Sequence, residues 1–344
     1  MIDTLAVVGA TGAVGRIIVD MLVARKFPAR RIKLLASARS AGTPMRVGEA
    51  TYDVEVLGPD SFQGVEIAIG STPDEVAAEF VPWAVERGTV VVDESGFYRM
   101  NPEVPLVIPE VNPEAIATHR GIIASPNCST TQMVMVMKPL HDAARVTRVI
   151  VSTYQAVSGA GLSATRELEQ ATAAWLAGEP ESQQIFPHRI AANLIPQIGS
   201  PRPNGFTSEE MKMVLETRKI LGDESIAVSA TCVRVPVANG HSESILIETE
   251  KKLTADEARG LLAAFPGIVV EDDLSAQQYP QPRTASGRDA VFVGRIREDI
   301  SCPNGIALWC VSDNLRKGAA TNAVQIAEHL VKHGLKGAGH AVRT

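Results

Sequence analysis

The sequence predicts an α/β protein with an N-terminal doubly wound nucleotide-binding domain followed by an α+β domain. Three observations carry this prediction. An apolar strand, Leu5 to Val8, runs through a glycine-rich turn into an apolar-periodic helix that reaches about Arg25. Short strand-like runs at Ile32 to Ala36, Tyr52 to Val56, Val65 to Ile69 and Thr89 to Val92 then alternate with a helix over about Asp74 to Arg87. Beyond Cys128 come longer Val- and Thr-rich runs at Val146 to Tyr154, Ile226 to Val235, Glu243 to Glu250, Ala290 to Ile296 and Gly305 to Val311, the pattern of a mixed or antiparallel sheet with helices on one side.

The turn, Gly9-Ala10-Thr11-Gly12-Ala13-Val14-Gly15, is a Rossmann-type dinucleotide-binding turn. Gly9 permits the tight bend, Gly12 lets backbone approach a pyrophosphate, and Gly15 lets helix and strand pack closely, with phosphate at the helix N-terminus. Glycines at this spacing are a weak signal alone, but the strand before and the helix after supply the required context. After the second strand an NAD enzyme carries an acidic residue for the ribose 2′-hydroxyl. Here the chain reads Ser37-Ala38-Arg39-Ser40, a guanidinium and two hydroxyls suited to a 2′-phosphate, so NADP is expected.

The final helix, from about Leu315 to Lys332, has an apolar stripe of Ala319, Ala323, Ile326 and Leu330 that requires a partner surface. It is expected to return to the nucleotide-binding domain. That domain then comprises residues 1–127 and about 315–344, with residues 128–314 as the second domain. The polar, Pro-rich stretch from Ala177 to Pro203 reads as a surface excursion, and residues past Gly334 are expected to fray.

Composition fits a globular enzyme: 344 residues, 45% hydrophobic, 21% charged, net charge −6. The Lys and Arg residues are scattered rather than striped, which argues against nucleic acid. No apolar run approaches the roughly 20 residues needed to span a bilayer, and the chain opens on a core strand, so the cytoplasm is expected. Cysteines at 128, 232, 302 and 310 lack the short paired spacing of a metal cluster or disulfide framework, so no metal is expected. Cys232 and Cys310 read as strand interior.

Cys128 differs from them. Within Ser125-Pro126-Asn127-Cys128-Ser129-Thr130-Thr131-Gln132 it stands at the start of a helix running through Met133 to Leu140, where exposed N–H groups and the helix dipole favour a thiolate and can hold an oxyanion. A free cysteine read alone is more often a small buried hydrophobe. A nucleophilic cysteine also needs a base, and of seven histidines only His241 lies in a polar turn between two strong strands. The Asn239-Gly240 turn can fold it back towards Arg234.

These segments together resemble the aspartate-semialdehyde dehydrogenase family over essentially the whole chain. The glycine-rich opening, Leu35 to Ser40, Val107-Ile108-Pro109-Glu110-Val111-Asn112, Ser125 to Gln132, Thr153 to Gly161, Arg234 to Ser244 and Ser312-Asp313-Asn314 recur in order. The resemblance implies an NADPH-dependent reductive dephosphorylation of L-aspartyl-4-phosphate to L-aspartate 4-semialdehyde, in the route to lysine, diaminopimelate, methionine, threonine and isoleucine. Cys128 would form a thioester, His241 would act as acid and base, and Gln155 would orient the acyl group. Arg234 would hold the α-carboxylate and Glu209 the α-amino group, with Arg99, Asn127 and Lys212 around phosphate. For the last pair on its helix, Glu209 and Lys212, the residues alone suggest only a surface ion pair. By the same resemblance Ser71, Thr72, Ser158, Gly159 and Asn314 join Gly9 to Gly15 and Ser37 to Ser40 as cofactor contacts, and the enzyme is a homodimer built on its second, catalytic and dimerisation domain.

One departure stands out. The family has Asp-Asn-Ser ahead of the phosphate arginine, whereas this chain has Asp93-Glu94-Ser95 before Arg99. A carboxylate aimed at a phosphate pocket is unfavourable, so Glu94 is expected to point away or to use its backbone. N-acetyl-γ-glutamyl-phosphate reductases, which share the thioester chemistry, carry Asn-Pro-Gly-Cys-Tyr around the cysteine instead of Pro-Asn-Cys-Ser. A non-catalytic NADP-binding relative would be marked by loss of the cysteine or histidine, and both are present.

Overall fold

The computed structural model describes residues 1–337 and divides into two compact units, Met1–Asn127 with the chain from Ala319 onward, and Cys128–Gly318. Most of the segment expected to fray past Gly334 lies outside the described residues.

In the first unit, β1 (Ile2–Val8) leads through the glycine turn to α1 (Ala13–Ala24) and β2 (Ala29–Ala36). A small hairpin, β3 (Met45–Val47) and β4 (Ala50–Tyr52), precedes β5 (Val54–Val56), so the single run expected over Tyr52 to Val56 is split. Then follow β6 (Ile67–Gly70), α2 (Asp74–Glu86), β7 (Val90–Asp93) and β8 (Ile122–Ala124). The six main strands are parallel in the order β5-β2-β1-β6-β7-β8, that of a doubly wound dinucleotide-binding sheet. Such a sheet is buried on both faces, which is why β6 and β7 are apolar throughout their buried length up to Asp93. On α2 the buried positions Ala77, Phe80, Val81 and Ala84 follow helical spacing and pack with Phe62 and Val91.

The second unit opens with α3 (Cys128–Ala144), whose first residue is Cys128, as the sequence implies. It continues through β9 (Val146–Gln155), α4 (Leu162–Ala177), α5 (Ser208–Leu221), β10 (Ala227–Arg234), β11 (His241–Thr249), α6 (Ala255–Ala264), β12 (Ile268–Val270), the short α7 (Pro282–Ala285), β13 (Val291–Glu298) and β14 (Gly305–Ser312). The sheet is mixed, ordered β10-β9-β11-β14-β13-β12, with β9 parallel to β10 and antiparallel to β11. On β9 the alternation Val149, Val151, Thr153 and Gln155 is buried, while Ile150 and Tyr154 face outward and Tyr154 tilts against Trp309. Residues 178–207 carry no helix or strand of more than an isolated bridge, but the stretch is anchored: the buried Glu167 carboxylate of α4 accepts N–H groups of Gln184, Ile185 and Phe186.

After a π-helical turn at Arg316–Ala320, α8 (Thr321–His333) returns to the first unit. Ala323, Ile326 and Leu330 are buried there among Ile18, Leu22, Ile67 and Ile69, the surface that the stripe requires. Ala319 is only half-buried.

Candidate active site

In the first unit the glycine turn is shaped for close approach. Gly9 has φ 80°, and a Cβ there would stand 2.1 Å from the Ser71 carbonyl oxygen. A Cβ on Gly15 would stand 2.1 Å from the Gly9 oxygen, so the packing of α1 on β1 depends on its absence. Gly12 caps α1 in an extended conformation without a side-chain cap, leaving the N–H groups of Ala13, Val14 and Gly15 at the helix start. Thr11 accepts a hydrogen bond from Arg16 through its carbonyl. Ser71 and Thr72 follow β6, and the Thr72 hydroxyl is buried with no hydrogen-bond partner. Ser37, Arg39 and Ser40 form an exposed turn after β2, closed by the Ser40 N–H on the Ser37 carbonyl. The cradle that a Cβ would fill, the bare helix start and the orphaned Thr72 hydroxyl all fit a dinucleotide.

Arg99 and Asn127 are buried in this unit, and Arg99 donates from Nη2 to the Glu94 carbonyl at 2.7 Å. The Glu94 side chain is turned into the fold. Both of its carboxylate oxygens are shielded from solvent, and burial pushes the group up to about 8 against the weaker pull of a hydrogen bond from Ser71 and the charge of Arg99, with Asp93 adding to the rise.

The second unit gathers the expected catalytic residues. His241 is the first residue of β11 rather than part of the preceding turn, which ends at Gly240 with φ 91°. The Ala156 N–H donates to Nδ1 of His241 at 3.0 Å, so in the neutral ring the proton sits on Nε2, a buried atom with no partner. Burial, then the charge of Arg234, hold His241 down to about 3, with Glu209 pulling the other way. The ring is therefore neutral at any physiological pH. Arg234 ends β10 and donates from Nη1 to the Ala156 carbonyl at 2.6 Å. Burial lowers its pKa, against the charges of Glu209 and Cys128.

Gly159 lies between these two side chains. A Cβ added to it would be 3.1 Å from Arg234 Nη1 and 3.3 Å from His241 Nε2, so both groups pack closely on the glycine and are brought side by side there. Gln155 donates from Nε2 to Glu209 at 3.1 Å and accepts from the Thr153 hydroxyl, which fixes its amide. Glu209 in turn pairs with Lys212 at 3.2 Å across one turn of α5. A capping box of Thr207 and Glu210 holds the start of that helix. Ser158 and Asn314 are hydrogen-bonded to each other, and Asn314 also accepts the Gly240 N–H, so that these two and the His241 turn form one unit. At Cys128 the neighbour is Gly318 of the π-helical turn, whose added Cβ would stand 2.8 Å from that of Cys128.

A layer not foreseen from sequence lies behind the thiol. Gln132, one turn along α3, accepts from the Ser312 hydroxyl at 2.5 Å and sits beside Glu243 of β11. Glu243 is fully buried, and desolvation raises its pKa well above the usual carboxylate range. The available signal was positional, since Glu243 and His241 share a face of one strand. Among the described residues no group of three or more His, Cys, Asp or Glu side chains could hold a metal ion, and no helix is long and apolar enough to cross a membrane.

A doubly wound nucleotide-binding sheet carried in one chain with a cysteine at a helix start, a neutral histidine and a buried arginine has the parts of an oxidoreductase that binds a nicotinamide nucleotide. The family model for the semialdehyde dehydrogenase NAD binding domain matches residues 4–119, and that for the semialdehyde dehydrogenase dimerisation domain matches residues 137–317. Aspartate-semialdehyde dehydrogenase of Aquifex aeolicus is 52% identical over 96% of this chain and 98% of its own, and that of Bacillus subtilis 48% identical over 95% and 97%. The crystal structure of Vibrio cholerae aspartate semialdehyde dehydrogenase II complexed with ASA superposes with a TM-score of 0.94 at 46% identity, covering 97% of this chain and 99% of that one. The Candida albicans enzyme with NADP superposes with a TM-score of 0.76 at 27% identity over 96% and 99%. The chain belongs to the aspartate-semialdehyde dehydrogenase family.

Proposed function

We propose that this chain reduces L-aspartyl-4-phosphate to L-aspartate 4-semialdehyde with NADPH through a thioester on Cys128. The observation that carries the reading is the convergence of the Arg234 guanidinium and the buried, unpartnered Nε2 of His241 on the backbone of Gly159. Cys128 as thiolate attacks the acyl carbon. Its S–C bond forms as the C–O bond to phosphate breaks, and phosphate leaves with the electron pair. A thioester is a far better hydride acceptor than a carboxylate, which is the reason for the covalent step. NADPH supplies the hydride when bound, and collapse of the resulting tetrahedral carbon releases the aldehyde and returns the thiolate.

His241 donates from Nε2 to the oxygen on which charge develops. The Ala156 hydrogen bond supports this acid role more than a base role at the same atom, because it favours the tautomer already protonated on Nε2. Arg234 grips the α-carboxylate with the N–H groups not used on Ala156, and Glu209 takes the α-ammonium. Gln155, held by Thr153 and Glu209, orients the acyl group. Arg99, Asn127 and Lys212 take the phosphate, an assignment that rests on motif position.

Glycines 9, 12 and 15 with Thr11, Ala13 and Val14 hold the pyrophosphate. Ser71, Thr72, Ser158, Gly159 and Asn314 complete the nucleotide site, and Ser37, Arg39 and Ser40 receive the 2′-phosphate. The NADP in the Candida albicans relative supports this choice. A homodimer built on the open sheet face around Ile150, Tyr154 and Trp309 fits the dimerisation-domain match, and the cytoplasm suits a chain whose four cysteines form no disulfide.

The test is phosphate-dependent NADP reduction with aspartate semialdehyde, run beside N-acetylglutamate semialdehyde. Turnover is expected with the first alone, and Cys128→Ala should bind nucleotide but not turn over. Turnover of that variant within about tenfold of the parent, a loss of only ~1.4 kcal/mol of barrier lowering, would sink the covalent mechanism. Arg39→Ala should weaken NADP roughly ten- to a hundredfold while sparing NAD, the value of a charge-assisted phosphate contact. Equal losses for both nucleotides would refute the 2′-phosphate assignment.

A further inference from the structure

Glu94 is the first residue beyond β7, and its N–H donates to the Gly70 carbonyl at the end of β6. Its own carbonyl is taken by Arg99. The main chain is thus fixed at the carboxyl edge of two neighbouring strands. Both carboxylate oxygens are buried, with the Ser71 hydroxyl as their one hydrogen-bonding neighbour, and the Thr72 hydroxyl at the same edge is buried without a partner. An orphaned hydroxyl beside a buried carboxylate that one hydroxyl cannot satisfy points to a ligand at this edge, since buried polar atoms otherwise find partners.

The place of that ligand follows from the sheet. A dinucleotide lies across the carboxyl edge of a doubly wound sheet, its two halves on either side of the first strand, with the adenosine ribose near the end of the second strand. Here the second strand, β2, lies on one side of β1 and β6 and β7 lie on the other, so the nicotinamide half belongs over β6 and β7.

We propose that Glu94 is a titratable contact for the nicotinamide end of the nucleotide, one whose ionised form favours the oxidised, cationic ring over the reduced, neutral one. The proposal rests on the nucleotide assignment above. The charged groups that face Glu94 are Arg99, from the loop after β7, and Asp93, from β7 itself, with the Ser71 hydroxyl from the end of β6. Burial, with Asp93 adding to it, raises the carboxyl to about 8, so it gains its charge within the range from about pH 6 to about pH 9.5. The asparagine usual in the family at this position has no charge to gain.

A carboxylate that ionises near a cationic ring binds that ring more tightly as pH rises. The 2′-phosphate and pyrophosphate are the same in both redox forms, so their effects cancel in the ratio of dissociation constants. Fluorescence titration of the full chain with NADP+ and NADPH, from about pH 6 to about pH 9.5, should show Kd(NADPH)/Kd(NADP+) rising about tenfold, the effect of one charge pair at intermediate dielectric. In Glu94→Gln and Glu94→Asn the ratio should stay constant within about twofold, a neutral amide having no such titration.

A flat ratio in the parent, or an unchanged slope in folded variants, overturns the proposal. Should the variants not fold, proton release settles it in the parent: in weakly buffered solution near pH 8, NADP+ binding should release more protons than NADPH binding, and equal release overturns the idea. Parallel titrations with NAD+ and NADH separate the two claims. Tighter binding of those forms would remove the 2′-phosphate reading, while the slope of their own ratio would still report on Glu94.

Discussion

Glu243 and Glu94 are both carboxyls that the fold buries, and each makes stability depend on pH. Glu243 has its folded pKa raised well above the unfolded value by desolvation. The folded state therefore holds a proton that the unfolded state gives up, and the contribution to stability is lost as pH rises from the unfolded pKa near 4.5 towards the folded one. Glu243→Gln removes this titration at nearly constant shape. Its melting temperature should gain on the parent as pH rises from about 5 to about 9, and a gap independent of pH would mean that Glu243 is ionised in the fold. Neither burial was legible in the sequence. Alternation assigns faces within a strand but not one residue past its end, where Glu94 stands, and the Val- and Thr-rich reading of β11 took no account of a carboxyl on the inward face. Similarly, His241 was expected in the turn, because the Asn239-Gly240 pair marks the bend without marking how soon the following strand begins pairing. The place of Cys128 at a helix start was legible, since a helix start after Pro126-Asn127 is a local feature, whereas the bonds of Gln155 to Glu209 and of Gln132 to Ser312 depend on contacts between elements distant in sequence.

At the scale of elements, α5 matters because it carries both Glu209 and Lys212 within its first turns. Its start is held by the Thr207 and Glu210 capping box. Thr207→Ala should cost about 1 kcal/mol in urea unfolding, typical of a lost cap. It should also raise the KM for aspartate semialdehyde if Glu209 binds the α-ammonium, and an unchanged KM would separate the helix start from substrate binding. The elements with strong periodicity, α8 and α2 with the strands on either side of α2, were legible. The hairpin of β3 and β4 was not, because its strands of three residues are too short to show alternation. Within α4, Ala164, Leu168 and Ala171 recur at helical spacing and Gly178 closes the helix in the left-handed conformation, both of them local signals of a helix.

For the whole molecule, the first unit is completed by its most distant segment in sequence. Residues 1–127 alone would leave open the surface that receives Ala323, Ile326 and Leu330, and the two larger side chains, Ile326 and Leu330, contribute roughly 1.5–3 kcal/mol each when fully buried. A chain joining residues 1–127 to residues 319–344 should fold and bind nucleotide, while residues 1–127 alone should show weak protection in hydrogen exchange. Equal protection in both would make α8 dispensable.

The same arrangement sets a clock during synthesis. Residues 128–318 must leave the ribosome before α8 can reach its place. At roughly 5–20 residues per second the wait is on the order of 10–40 seconds. Over that interval the nascent sheet of β1, β6 and β7 carries an uncovered apolar flank, a binding surface for chaperones that the finished protein no longer has.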